Sequence, residues 1–258
     1  MLPFARVAII GMGLIGSSLA RAVRRSMPTV RVSVSDADPA VRQRVRELDL
    51  ADEVADHAGA AVIDADLVVL AIPLGAFAAV GAEIAPELAP GAVLSDVGSS
   101  KQHVLDTLAP LLPGGVHLIP AHPVAGAEFS GPDAGMADLF DDRWCIITPP
   151  PGADAAAVER LRIFWAALGA RVETMDAHHH DLVLAVTSHV PHLIAYSIVG
   201  TASDLEEVTR GEVIKYSAGG FRDFTRIAAS DPTMWRDVFL LNRDAVLEVL
   251  GRVTEDLA

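Results

Sequence analysis

An α/β fold with a mostly parallel sheet, followed by an all-helical region, is predicted from three observations. Short apolar segments alternate with helix-length segments through about residue 175. After Asp176 no strand pattern recurs, and the periodicity is helical, interrupted by a glycine-rich stretch around 219. GMGLIGSS at 11–18 stands where a first strand would turn into a first helix. Strands covered on both faces read as continuous Val, Ile and Leu runs, and RVAII (6–10) is the first of these. VRVSV, DLVVLAI, AVLSDV, VHLIPAH, WCIITP and RVETM follow in order. Helical candidates lie among them at about 14–25, 38–48, 75–85, 100–111 and 154–168. Strand and helix in alternation put helices on both faces of the sheet.

Composition narrows the partners. The chain carries 34 acidic and 20 basic side chains, a formal charge of −14, which disfavours nucleic acid and anionic membrane. MLPFARVAII has no basic leader, long apolar stretch or small-residue cleavage site, so it reads as a strand, and a cytoplasmic location is expected. Cys145 is the lone cysteine and falls in WCIIT, where a buried, inert thiol is expected. Residues 182–203 contain no Asp, Glu, Lys or Arg and are long enough to span a bilayer. His189, Pro191 and His192 at their centre favour instead a helix buried between domains or subunits.

The glycine turn has its own chemistry. Gly11, Gly13 and Gly16 form GxGxxG, with Leu14 and Ile15 filling the spacer, directly after a strand and at the start of a helix. The first glycine permits a tight turn, the second lets backbone approach a pyrophosphate, and the third lets helix and strand pack closely. The competing reading is a turn that serves packing alone. Asp36 closes the second strand twenty residues after Gly16, where its carboxylate can bind both ribose hydroxyls and would repel a 2′-phosphate. Ala37 and Asp38 follow, with no nearby Arg, so NAD is expected over NADP. The expected organisation is a Rossmann-type dinucleotide-binding domain over 1–175 and a helical domain over 176–258.

Ligands of open α/β sheets bind beyond the carboxyl ends of the strands, where Pro73, Ser99 and His122 are expected to arrive. Pro73 would shape the cofactor wall or simply start a helix. Ser99, in DVGSSK, would face the site or cap a helix. An imidazole at the end of VHLIPAH is placed as a general base. Two tracts, HPVAGAEFSG (122–131) and GGFRDFTRIAASDPTMW (219–235), follow no core period and mark a site.

GMGLIGSS, DVGSSK, HPVAGAEFSG, TSHVPH (187–192) and GGFRDFTRIAASDPTMWRD (219–237) together make the chain resemble the prephenate dehydrogenase family, which includes arogenate and cyclohexadienyl dehydrogenases. The match runs nearly end to end. The resemblance implies a Rossmann domain, a helical domain forming an intertwined homodimer, and NAD-linked oxidation of a cyclohexadienyl carboxylate with loss of carbon dioxide. Prephenate, giving 4-hydroxyphenylpyruvate for tyrosine biosynthesis, is the substrate first implied; arogenate and 4-amino-4-deoxyprephenate are alternatives. His122 would deprotonate the C4 hydroxyl and Ser99 would share that contact. Arg226 would hold a substrate carboxylate in its planar fork, with Lys101, Arg222 and Arg236 adding to the field. His189 and His192, three residues apart, would point at the substrate, or else form a polar seam within a helical dimer. Trp235 would line the substrate site, and Asp223 and Trp235 look like residues that meet across the dimer near it.

Two residues depart from similar sequences: Ala127 stands where many have Thr, and Ser100 where many have Val. Both changes bear on specificity. No metal is expected, because His178, His179 and His180 are consecutive and would splay around a helix start. Two rival readings remain. One is a β-hydroxyacid dehydrogenase, which would need a catalytic lysine where only Lys215 is present; the other is a non-enzymatic dinucleotide sensor, which would need neither His122 nor Arg226.

Overall fold

The computed structural model describes residues 2–127, 129–205 and 212–258. It comprises two compact units, Met1–His180 and Asp181–Ala258. The first unit contains strands β1 (Arg6–Ile10), β2 (Arg31–Ser35), β3 (Glu53–Val54), β4 (Leu67–Leu70), β5 (Val93–Asp96) and β6 (His117–Leu118). These pair in the order β3-β2-β1-β4-β5-β6, all parallel. Helices α1 (Leu14–Ser26), α2 (Pro39–Glu47), α3 (Ala58–Ala61), α4 (Phe77–Ile84) and α5 (Gln102–Leu108) lie between them in sequence. Four consecutive β4 residues, Leu67, Val68, Val69 and Leu70, are each 0% exposed, so both faces of the sheet are covered.

A second, three-stranded sheet follows: β7 (Ala121–Pro123), β8 (Trp144–Ile147) and β9 (Arg171–Thr174), with α6 (Ala155–Ala167) between the last two. β7 runs antiparallel to β8, and β8 parallel to β9. Asp154 starts α6 by accepting the Ala157 N–H at 2.8 Å, and its buried Phe164 and Trp165 join the core. The expected single strand VHLIPAH is therefore two strands in two sheets. Pro120 is the reason. Ile119 N–H still reaches Leu94 O on β5 at 2.9 Å, but Pro120 has no N–H, and its carbonyl accepts Thr148 N–H beyond β8 at 2.9 Å. β3 was not expected either, since two residues beside Asp52 and Asp56 show no apolar run.

The helical region holds α7 (Ala177–Leu184), a π-helical segment (Ala185–His189), α8 (Val190–Asp204), α9 (Glu212–Lys215), α10 (Gly219–Thr225), a 3₁₀ turn (Arg226–Ala229), α11 (Pro232–Leu241) and α12 (Arg243–Leu257). The division between the units falls inside α7. Pro191 explains the π segment: it cannot donate to the preceding turn, so the helical ladder widens there. Thr187 Oγ1 bonds the Val183 carbonyl in the same stretch, at 2.8 Å.

Ala185 and Val190 pack with Val246 and Val249 of α12 as the small core of this unit. By length and composition the 28-residue run Ala177–Asp204 is apolar enough to cross a membrane. Within the single chain only Val190 and Ala195 of α8 are buried, and Ile198 and Val199 face outward. The second off-period tract is mostly helical. Asp231 caps α11 through Thr233 N–H (2.7 Å) and Met234 N–H (3.4 Å), with Pro232 at the first helical position.

Candidate active site

The glycine turn sits between the carboxyl end of β1 and the start of α1. Gly11 has φ +95°, and a Cβ there would strike the Ala71 backbone; one at Gly16 would strike Gly11 O. Gly13 faces open space, the side on which a phosphate could approach. No side chain caps α1 and no acidic residue occupies its first turn, so its leading N–H groups are suited to an anion. Asp36 accepts Met12 N–H at 2.7 Å through Oδ2 and Asp38 N–H at 2.9 Å through Oδ1. Each oxygen retains a second lone pair for a ribose hydroxyl. These features fit a dinucleotide.

Arg42 alters the sequence picture of this corner. It lies six residues beyond Asp36, yet its Nη1 donates to the carbonyls of Asp36 (2.7 Å) and Ala37 (3.2 Å), and its Nε stands 3.6 Å from Asp56. An arginine is thus near in space, committed to two carbonyls and a carboxylate. Pro73 follows β4 and is exposed; Ala76 N–H bonds its carbonyl at 2.9 Å, opening a 3₁₀ turn at Leu74–Ala76. Ser99 is half-buried and does not cap α5, whose N-cap position is Lys101.

At the end of β5 lies a fully buried ion pair. Lys101 Nζ donates to Asp96 Oδ2 at 2.5 Å and to Ala121 O at 2.8 Å, while Asp96 also accepts from Gly98 N–H (2.7 Å) and Ala121 N–H (3.3 Å). Burial pushes the Asp96 carboxyl above its usual range, and Lys101 pulls it back. The pair ties the parallel sheet to β7 at the residue before His122. Lys101 is therefore a scaffold cation, not the field-adding group the sequence suggested. Cys145 lies opposite Pro123, fully buried, its thiol pushed well above the ordinary value by burial.

His122, 9% exposed, sits at the centre of β7. Its Nδ1 lies 2.9 Å from Nε2 of His180, with the rings edge to face. His180 is 0% exposed, and the sequence reading missed it. A signal was present: Ala177, His180, Asp181 and Leu184 fall at i, i+3, i+4 and i+7, the buried stripe of α7. His178 and His179 are exposed, and their N–H groups meet the Asp176 carboxylate at 2.9 and 3.1 Å.

The second unit brings three expected residues together. His192 stacks on Trp235 (3.6 Å between centroids, 19°), and His189 meets the same indole edge to face at 6.1 Å. His192 Nδ1 lies 2.8 Å from the Ser188 carbonyl, so it carries the proton, and burial lowers the pKa of this ring. Asn242 was also missed, because an Asn after α11 reads as a helix end. Its Nδ2 donates to Asp181 O at 2.9 Å, which fixes the amide orientation, and its other N–H meets His189 Nδ1, also at 2.9 Å. His189 Nδ1 must accept, so the neutral ring carries its proton on Nε2. Trp235 Nε1 is buried with no protein partner among the described residues.

Arg226 is exposed at the start of the 3₁₀ turn. Arg236 is engaged with Asp237 through Nε (2.9 Å) and Nη2 (2.7 Å). Arg222 and Asp223 are exposed on α10. Ala127 is exposed and Ser100 buried, while Glu128 of the HPVAGAEFSG tract lies outside the described residues.

A parallel sheet in this strand order, with a glycine turn and an acidic residue after the second strand, defines a Rossmann-type nucleotide-binding protein. Comparison with known proteins narrows the class. The family profile "Prephenate dehydrogenase, nucleotide-binding domain" matches residues 19–174, beginning just past the glycine turn, and "Prephenate dehydrogenase, dimerization domain" matches 176–258. A cyclohexadienyl dehydrogenase of Zymomonas mobilis is 46% identical over 257 residues, covering 100% of this chain and 87% of that protein. A prephenate dehydrogenase of Bacillus subtilis is 35% identical over 243 residues, 94% of this chain; the chain spans only 65% of that relative's length. The crystal structure of prephenate dehydrogenase from Aquifex aeolicus, in complex with hydroxyphenyl propionate and NAD+, superposes with a TM-score of 0.88 at 30% identity, covering 100% of this chain and 88% of that one. The chain belongs to the prephenate dehydrogenase family, and it is a dehydrogenase of the prephenate and cyclohexadienyl type.

Proposed function

We propose that this enzyme catalyses the NAD-dependent oxidative decarboxylation of prephenate to 4-hydroxyphenylpyruvate, working as a cytoplasmic homodimer. The observation that carries the reading is the buried His122, held in β7 and hydrogen-bonded through Nδ1. Bound NAD supplies the hydride acceptor for C4. His122 takes the C4 hydroxyl proton as that carbon is oxidised; the bond to the ring carboxylate then breaks, its electron pair aromatises the ring, and the proton returns to the phenolic oxygen. Ser99, half-buried at the end of β5, shares the hydroxyl. The turn Gly11, Gly13, Leu14, Ile15 and Gly16, together with Asp36 and Pro73, holds the cofactor. His189, His192, Trp235 and Arg226 receive the substrate's carboxylates and side chain. Outward-facing Ile198 and Val199 on α8 support a second copy as the partner of the helical domain.

Purified protein assayed with prephenate, arogenate and 4-amino-4-deoxyprephenate, each with NAD and NADP, tests the assignment. Prephenate with NAD should give the highest kcat/KM, and Asp36→Ser should narrow the preference for NAD. Equal efficiency with NADP in the unaltered enzyme would overturn the role given to Asp36.

Recognition is tested separately at Arg226. A protein of net charge −14 offers a dianion no global attraction, so local cations must bind it. Arg226→Ala should raise the KM for substrate by the equivalent of roughly 2 to 5 kcal/mol, with NAD affinity unchanged. Arg226→Lys should recover only part, since an ammonium lacks the two-pronged geometry. Loss of the dimer with substrate affinity intact would make Arg226 an interface residue.

A further inference from the structure

We propose that His180 is the positioning residue for the catalytic base: it accepts a hydrogen bond from His122 Nδ1–H and so holds the base in its reactive tautomer. This rests on the reading of His122 as the base. One proton lies between His122 Nδ1 and His180 Nε2, 2.9 Å apart. If His180 owned it, neutral His122 would carry its own proton on Nε2 and have no basic nitrogen for substrate. If His122 owns it, His122 Nε2 is the base, and His180 carries its own proton on Nδ1. The second arrangement also stabilises the imidazolium formed when His122 takes the hydroxyl proton, because His180 Nε2 then faces a cationic donor. The logic is that of a nucleophile or base whose orientation is set by a third group, with a neutral imidazole in place of the usual carboxylate.

Burial sets the strength of this coupling. His180 is 0% and His122 9% exposed, so water does not compete well for the shared proton. β7 fixes one ring through Ala121, which the Asp96–Lys101 pair grips by both its N–H and its carbonyl. α7 fixes the other through the His180 N–H bond to Asp176 O at 2.9 Å. Among the described residues, the titratable groups on the elements around the pair are that ion pair beside Ala121, the buried Cys145 opposite Pro123, the buried Asp181 and exposed His178 and His179 of α7, and Asp176 just before that helix.

Two variants and one spectrum test the assignment. His180→Gln keeps an acceptor near the Nε2 position, whereas His180→Leu keeps only bulk. His180→Leu should lower kcat roughly 10- to 100-fold, with KM for substrate and NAD within about threefold, the scale seen when the partner of a functional imidazole is lost. The acid limb of its kcat/KM profile should move to lower pH, because the imidazolium has lost its acceptor, and His180→Gln should restore most of kcat. Unchanged kcat in the Leu variant, or equal losses in both variants with an unmoved acid limb, would overturn the proposal. If the Leu variant does not fold, the Gln variant decides: near-normal kcat supports an acceptor role, and a tenfold loss rejects it. The third arm is ¹⁵N NMR of the full-length protein without substrate. A protonated, hydrogen-bonded Nδ1 on His122 supports the pair even if no cyclohexadienyl substrate is turned over, an outcome that would sink the proposed function alone. An unprotonated Nδ1 overturns the pair even in an active enzyme.

Discussion

His122→Asn is expected to lower turnover by about 10² to 10⁴ while leaving NAD binding largely intact, the range for loss of a general base. Asparagine suits the test because its amide occupies the Nδ1 side of the ring. The hydrogen bond across to His180 can persist, so β7 keeps its place while the basic nitrogen disappears. The cofactor turn is built from β1, α1 and Asp36 and shares no hydrogen bond with His122 among the described residues. Its affinity, measured by titration, should therefore stay near normal. In the unaltered enzyme, activity should fall on the acid side as His122 takes up a proton and ceases to be a base. Near-normal turnover in the Asn variant would place the base elsewhere.

Lys101→Met is expected to destabilise the fold by about 3 to 5 kcal/mol, the cost of leaving one member of a buried pair behind. Methionine matches the stem of lysine, so the loss is electrostatic more than one of volume. Asp96 would keep the N–H groups of Gly98 and Ala121 but lose its only described cation, and burial would drive its carboxyl toward protonation. The double variant Asp96→Asn, Lys101→Met should recover part of the loss, since a neutral pair carries no buried charge. Urea unfolding with the m-value monitored distinguishes this from a change in cooperativity. A single-variant loss below about 1 kcal/mol would mean that water reaches the site and the pair is not a structural bolt.

How much of this was legible in the sequence varied with the range of the interaction. The strand runs, the glycine turn and Asp36 are local patterns, and the structure places each at the expected end of the sheet. The sheet break is readable in principle from Pro120, but VHLIPAH is apolar on both sides of the proline and so reads as one strand. Lys101 looked like a site cation because nothing local says that Asp96, five residues back across a turn, consumes it. His180 was hidden by its neighbours: three consecutive histidines suggest a solvated helix start, and only the stripe through Ala177 and Leu184 picks out the inward one. His189, His192 and Trp235 were each marked, but their meeting on one indole is set by helix packing across more than forty residues.

The π segment at Ala185–His189 makes the spacing of that cluster a matter of phase. Such a segment is one residue more than a regular helix of the same span would hold. Removing that one residue would restore ordinary winding and leave α7 and α8 in their present phase, so His192 would stay stacked on Trp235. A second deletion in 185–189 would have no such residue to give up and would turn α8 by about 100°, the angle that each helical residue subtends, carrying His192 off the indole. The segment thus works as one residue of slack in the chain, and a relative with one residue fewer here would keep the same face of α8 toward the α11 indole.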